Sequence, residues 1–301
     1  MIKTIKGIIE QAKSVEKQTL AVAAAEDKDV LGAVTESVEM GIVEAILVGD
    51  KKQIEKIATS EGYNLEKLEV IDEPNKVQAA RKAVELVSSQ KADLVMKGLL
   101  GTADILRAVL DKEIGLRTGK ILSHVAALEV SGFEKLFLLT DGAMNIAPDL
   151  KQKMQITQNA VEVAKALGIE KPKVAPLAAV EVVNPDMQPC LDAAALSQMA
   201  QRGQIKDATV DGPLALDNAV SAEAAKHKGI DSPVAGNADI LLVPNIDAGN
   251  VLYKSMVYFA RAETAGVIAG AKAPVVLTSR ADTHQAKLNA IALGVLVAAN
   301  R

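Results

Sequence analysis

Near the C-terminal end of the chain, "APVVLTSRADTHQAK" (273–287) runs an apolar stretch straight into Ser279 and Arg280, with Asp282 two residues later. A hydroxyl, a guanidinium and a carboxylate in that spacing can hold and work on an anion. The first donates a hydrogen bond, the second grips two oxygens at once, and the third accepts protons. Four other segments repeat the theme of an apolar run followed by glycines and polar side chains. "ADLVMKGLLGTADILRAVL" carries Lys97, Gly98, Gly101, Thr102 and Arg107, and "LFLLTDGAMNIAPD" carries Asp141 and Asn145. "ATVDGPLALDNAVS" carries Asp211, and "ADILLVPNIDAGNVLYKSM" carries Asn245, Asp247, Gly249, Asn250 and Lys254. Glycines let backbone N–H groups approach a ligand, and helix N-termini favour negative charge. With Lys97, Arg107, Lys254 and Arg280 added, the ligand class these clusters select is a small anion.

Plainer assignments compete at single positions. Asp282 followed by Gln285 matches a helix capping box, Asp247 also reads as an N-cap, and Asp211-Gly212-Pro213 reads as a turn. A lone Lys or Arg on a helix is usually solvated. Arg280 resists that reading, because a guanidinium beside an apolar run needs a partner. Five such clusters in one chain favour a shared site over five coincidences.

The elements that must position these groups follow from periodicity. Apolar runs at 19–25, 45–50, 68–72, 92–98, 121–130, 136–142, 174–183, 208–213, 238–245 and 273–280 read as strands, most of them separated by helical patterns. Strands apolar on both faces and alternating with helices predict an α/β protein with mostly parallel sheets. In such sheets ligands bind beyond the carboxyl ends of the strands, where the clusters lie. The runs at 121–130 and 136–142 are linked only by "SGFEK", which is too short for a parallel crossover and demands an antiparallel pair. That break in rhythm marks the handover to a second domain near residue 120.

Composition narrows the function. The chain has 301 residues, a formal net charge of −4 and 2% aromatic residues without Trp, so neither a basic nucleic-acid surface nor stacking platforms are expected. No run of eighteen apolar residues predicts a membrane span, and a single cysteine, Cys190, fits a reducing cytoplasm. Phosphate-loop, dinucleotide, nucleophile-elbow and zinc-protease motifs are absent. His124, His227 and His284 lack metal-ligand spacing, so no metal is expected.

Taken together and in order, "ADLVMKGLLGTADILRAVL", "VDGPLALDNAVS", "DSPVAGNADILLVPNIDAGNVLYK" and "APVVLTSR" make the chain resemble the phosphate acetyl/butyryltransferases, or phosphotransacylases. The likeness looks nearest to the butyryl and branched-chain branch. It implies reversible transfer of an acyl group between CoA and inorganic phosphate, with acyl-CoA, phosphate and acyl phosphate as partners and CoA as substrate rather than cofactor. It also implies a homodimer or larger assembly. The implied fold is two α/β domains with an interdomain cleft, of the isocitrate/isopropylmalate dehydrogenase type. The first domain would comprise 1–120 with 260–301, and the second 121–259.

In that reading Ser279 donates to developing charge, Arg280 clamps phosphate, and Arg107 matches a further family arginine. Lys97, Asn145, Asp211, Asn245, Gly249, Asn250 and Lys254 line the substrates. The acetyl branch carries an aspartate seven residues beyond the serine, as base for the CoA thiol. Here that position is Ala286, leaving Asp282, His284 and Lys287 as nearby substitutes. Acetyl transfer, acyl transfer from a carrier protein, and acyl-CoA sensing without catalysis remain alternatives at this point.

Overall fold

The computed structural model describes residues 1–279 and 282–301; Arg280 lies outside them. In chain order the strands are β1 (Gln18–Ala23), β2 (Val43–Gly49), β3 (Glu69–Asp72), β4 (Leu94–Lys97), β5 (Ser123–Glu129), β6 (Leu136–Thr140), β7 (Lys173–Pro176), β8 (Thr209–Val210), β9 (Ile240–Leu242), β10 (Glu263–Ala269) and β11 (Val275–Val276). The helices are α1 (Ile5–Ala12), α2 (Lys28–Glu39), α3 (Lys51–Glu61), α4 (Lys76–Ser88), α5 (Thr102–Val109), α6 (Leu150–Ala166), α7 (Gln188–Gln201), α8 (Leu216–Val220), α9 (Ala222–His227), α10 (Ile246–Tyr258) and α11 (His284–Ala299). The protein is therefore α/β. None of its described helices is long and apolar enough to cross a membrane.

The chain divides into two compact units. A discontinuous unit holds Ile5–Lys120 and Thr264–Arg301, and a central unit holds Met1–Thr4 and Ile121–Glu263. In the discontinuous unit the strands run β3-β2-β1-β4-β11-β10, parallel apart from the β10–β11 pair. In the central unit they run β5-β6-β9-β7-β8, parallel apart from the β5–β6 pair that the short "SGFEK" link required.

Strands in the interior of these layers are buried on both faces, which is why β4, β6 and β9 read as unbroken apolar runs. Leu20, Leu47, Leu94 and Met96 are fully buried in this way. Each contributes about 1.5–3 kcal/mol by leaving water. The edge strand β3 is only half covered and keeps Glu69 and Asp72 exposed.

Two strand expectations need correction, and one strand was not expected. The run 174–183 yields only Lys173–Pro176, plus a bridge from Leu177 to Leu214. Its neighbours stop there: β9 ends at Leu242 with Pro244 close behind, and β8 ends at Val210 ahead of Pro213. Without a ladder to join, Val182 and Val183 lie exposed despite their β-branched side chains. The run 273–280 is likewise short, with only Val275–Val276 in the sheet. Conversely, "ETAGVIA" forms β10, a strand not expected because its polar start and Gly266 mask the pattern.

Helix starts follow local hydrogen bonding. Asp27, Asp50 and Asp149 accept backbone N–H groups at the heads of α2, α3 and α6, and Gln152 completes a capping box at Asp149. Helix α11 is apolar around nearly its whole circumference and is buried from Lys287 to Val297.

Candidate active site

Two parallel neighbours, β4 and β11, set the geometry of the discontinuous unit. Their register pairs Met96 with Val276, so Lys97 and the segment leading to Ser279 leave the sheet at the same edge. Lys97 is only 5% exposed. Its Nζ donates to the carbonyls of Gly98 (3.2 Å) and Leu100 (3.4 Å). Gly98 is required here, since a Cβ would come within 2.2 Å of the Ala24 carbonyl oxygen. The same crowding supplies hydrogen bonds from the Gly98 and Leu99 N–H groups to the carbonyls of Ala23 and Ala24.

Ser279 follows β11 and is exposed. Its backbone N–H donates to Asp282 Oδ2 at 2.7 Å, and its carbonyl accepts from the Asp282 N–H at 3.2 Å. Asp282 is therefore not the cap of α11. Thr283 takes that place, its hydroxyl accepting from Ala286 N at 3.2 Å. The capping-box spacing was a false lead because the neighbouring threonine competes for the same N–H groups and leaves the carboxylate free to turn back.

Two other proposed base substitutes are engaged. His284 Nε2 lies 2.5 Å from Glu36 Oε2. Lys287 is 3% exposed, and its Nζ donates to the carbonyls of Asp282 (2.5 Å) and Ser279 (3.4 Å). Arg107 is 71% exposed and forms an ion pair with Asp104 on its own helix, at 2.8 Å. Farther along the chain, Asp111 accepts from the N–H groups of Glu113 and Ile114 and pairs with Arg81. Those contacts, led by the Glu113 N–H, bring its carboxyl from 3.8 down to about 2.

The central unit gathers a second group at the carboxyl end of β6. Asp141, 3% exposed, accepts from Ala143 N (2.9 Å) and Met144 N (3.0 Å). Asn145 donates to Asp141 Oδ2 (2.6 Å) and to the Leu122 carbonyl (2.8 Å). The Thr140–Asp141 peptide is cis.

Gly142 packs against Gly249 of α10, where a Cβ on Gly249 would lie 2.7 Å from the Gly142 Cα. Asn250, one residue on, donates to the Gly142 carbonyl at 3.2 Å. Asn245 caps α10 by accepting from Ala248 N at 3.0 Å, so Asp247 is not the cap and lies exposed in the first turn. Lys254 is exposed farther along α10.

Asn145, Gly249 and Asn250 thus meet around Gly142, with Asn245 at the head of the same helix. Asp211 does not join them. It follows β8, three strands away in the order β6-β9-β7-β8, and its N–H donates to the Val174 carbonyl. Asn245 also lines a cavity of 520 Å³ with Lys153, Asp192 and Gln188. Lys153 and Asp192 form a buried ion pair there, at 2.6 Å.

Sequence reasoning passed over Thr283 as a cap and Lys287 as a buried group. The signal for Lys287 was present: it is the one Lys, Arg, Asp or Glu in a sixteen-residue helix that is apolar from Ala290 onward, and such a helix is buried all round. Glu26, buried after β1 with Oε2 lacking a partner among the described residues, had no comparable signal.

Each unit gathers polar groups at the carboxyl ends of its parallel strands: Lys97 and Ser279 in the discontinuous one, Asn145, Asn245 and Asn250 in the central one. Comparison with known proteins gives the class. The profile of the phosphate acetyl/butaryl transferase family matches residues 3–82 and 73–295, and the chain belongs to that family. It is an acyltransferase.

The chain is 56% identical over 301 residues, the whole of both chains, to the phosphate butyryltransferase of Clostridium acetobutylicum. It is 45% identical to the phosphate acetyltransferase of Thermotoga maritima, over 98% of this chain and 99% of the relative. A branched-chain phosphotransacylase from Enterococcus faecalis superposes with a TM-score of 0.84 at 36% identity, covering 93% of this chain and 99% of that one.

Proposed function

We propose that this acyltransferase moves a butyryl or branched short-chain acyl group reversibly between CoA and inorganic phosphate. The observation that carries this reading is the full-length 56% identity to a phosphate butyryltransferase. A phosphate oxygen attacks the thioester carbonyl carbon, the carbonyl oxygen gains charge in the tetrahedral species, and the C–S bond breaks. Acyl phosphate and CoA thiolate result. A thiol with a pKa near that of cysteine, ~8.5, leaves as thiolate and needs no strong acid.

In this scheme Ser279 donates to the charged oxygen, and one such donor is worth ~10²–10³ in rate. Arg280 clamps phosphate in ground and transition states, and Lys97, at the end of β4, adds positive charge. Arg107, Asn145, Asn245, Gly249, Asn250 and Lys254 are assigned to substrate binding, Asp211 to the turn after β8 apart from them, and Asp282 to holding Ser279.

The test is thiol release from a panel of acyl-CoAs in the presence of phosphate. Butyryl-CoA should exceed acetyl-CoA in kcat/KM by ~1.6 kcal/mol for two additional buried methylenes, or ~15-fold. Equal values would favour the acetyl reading, which the Thermotoga maritima relative supports. Absence of phosphate-dependent release from every acyl-CoA would overturn the proposal. Arg280→Ala should raise the KM for phosphate and lower kcat together.

A further inference from the structure

Lys287 has no part in the scheme above, yet its position is hard to explain by stability. Its ammonium is buried in α11, and a buried charge costs several kcal/mol of solvation even when its partners are good. Among the described residues its partners are backbone carbonyls, those of Ser279 and Asp282. A methionine would fill similar volume in an apolar helix at no such cost.

The two carbonyls belong to the residues whose other backbone and side-chain groups already bind each other. Ser279 N–H is held by the Asp282 carboxylate, and Ser279 carbonyl by the Asp282 N–H. Lys287 adds a charged donor beneath both, so each backbone polar group of Ser279 has a fixed partner. A serine tethered in this way cannot change φ and ψ freely, so the direction of its Cα–Cβ bond, from which the hydroxyl swings, is set before substrate arrives.

We propose that Lys287 is a positioning residue that acts through Ser279: it anchors the backbone of the serine so that its hydroxyl meets the developing oxyanion. The proposal rests on the reading of Ser279 as the oxyanion donor. Misplacement of a reacting group by about 1 Å costs ~10²-fold in rate, so Lys287→Met should lower kcat by ~10- to 100-fold. Its KM values should stay within about twofold, because Lys287 does not contact substrate.

The experiment is a double-mutant cycle on the full chain, with Lys287→Met, Ser279→Ala and the pair, each followed by kcat and by Tm. The expected result is a large loss for Lys287→Met alone and a loss under twofold when it is added to Ser279→Ala. Tm should be unchanged or raised in Lys287→Met, as removal of a buried charge allows. An equal loss of kcat in both backgrounds would mean that Lys287 acts independently of Ser279, and would overturn the proposal. So would wild-type kcat in Lys287→Met.

Wild-type kcat in Ser279→Ala would instead bring down the assignment of the reaction centre, and this proposal with it. Should Lys287→Met fail to fold, Lys287→Gln removes the charge while keeping a donor, and carries the same comparison.

Discussion

Two turns at strand ends, one in each unit, are held in place by an aspartate and differ in what lies behind them. In the central unit the Asp141 carboxylate binds the N–H groups of Ala143 and Met144, and Gly142 is pressed against Gly249, backbone on backbone. In the discontinuous unit the Asp282 carboxylate binds the N–H of Ser279, and behind the turn stands the Lys287 ammonium. The first arrangement leaves no room for a side chain on either glycine at the contact. The second leaves a side chain in place, exposed, while its backbone is tied down. A turn that must present a hydroxyl cannot be fixed by backbone packing alone, so it is fixed by hydrogen bonds from side chains.

The comparison breaks most sharply at Ser279. Ser279→Ala keeps every backbone tether and removes only the donor, so kcat should fall ~10²–10³-fold while the KM for phosphate changes little. Steady-state kinetics on the thiol-release reaction measure both. A loss confined to KM would show the hydroxyl to be a ground-state binding group.

At the matching point of the central unit, Gly249→Ala places a methyl group 2.7 Å from the Gly142 Cα and 2.9 Å from the Asp141 carbonyl oxygen. Neither atom belongs to a flexible side chain, so the backbone must shift, at a cost of ~1–3 kcal/mol. Chemical denaturation should show that loss. Unchanged stability would mean that the Gly–Gly contact is not a rigid one.

A finer separation comes from two adjacent residues. Thr283→Ala removes the cap of α11 and should cost ~1 kcal/mol of stability with kcat nearly intact. Asp282→Ala, which frees the Ser279 N–H, should do the reverse: kcat falls about tenfold and Tm barely moves. If Asp282→Ala lowered Tm as much as Thr283→Ala and left kcat alone, its carboxylate would be part of the helix start after all.

How much of this was legible depends on which neighbours decide the outcome. The runs that became β1, β2, β4, β6 and β9 were plain because burial on both faces writes itself into consecutive residues. "SGFEK" revealed an antiparallel pair because chain length forbids anything else there. The run at 174–183 misled because its length in the sheet is set by prolines in other segments. Asp282 misled because capping is a competition among neighbours, decided here for Thr283. The polar clusters were legible as residue types at strand ends. Their hydrogen bonding was not, since Arg107 turning to Asp104 and Lys287 reaching Ser279 depend on where backbone and side chains finally lie.

The smallest expected effect concerns a third turn, after α5, which also relies on an aspartate, here partly exposed. Asp111 accepts from the Glu113 and Ile114 N–H groups and from Arg81, and its carboxyl falls from 3.8 to about 2. A carboxylate with a lowered folded-state pKa stabilises the fold at pH values above its unfolded pKa. That contribution fades as pH drops from 3.8 through about 2, where the folded group also takes up its proton. Asp111→Asn removes the titration, so the Tm gap between wild type and variant should be widest at neutral pH and close as pH approaches 2. Because Arg81 is 40% exposed, salt should narrow the gap too, by screening the ion pair. A gap that is constant from pH 7 to pH 2 would show that the turn is held by its backbone shape rather than by the charge on Asp111.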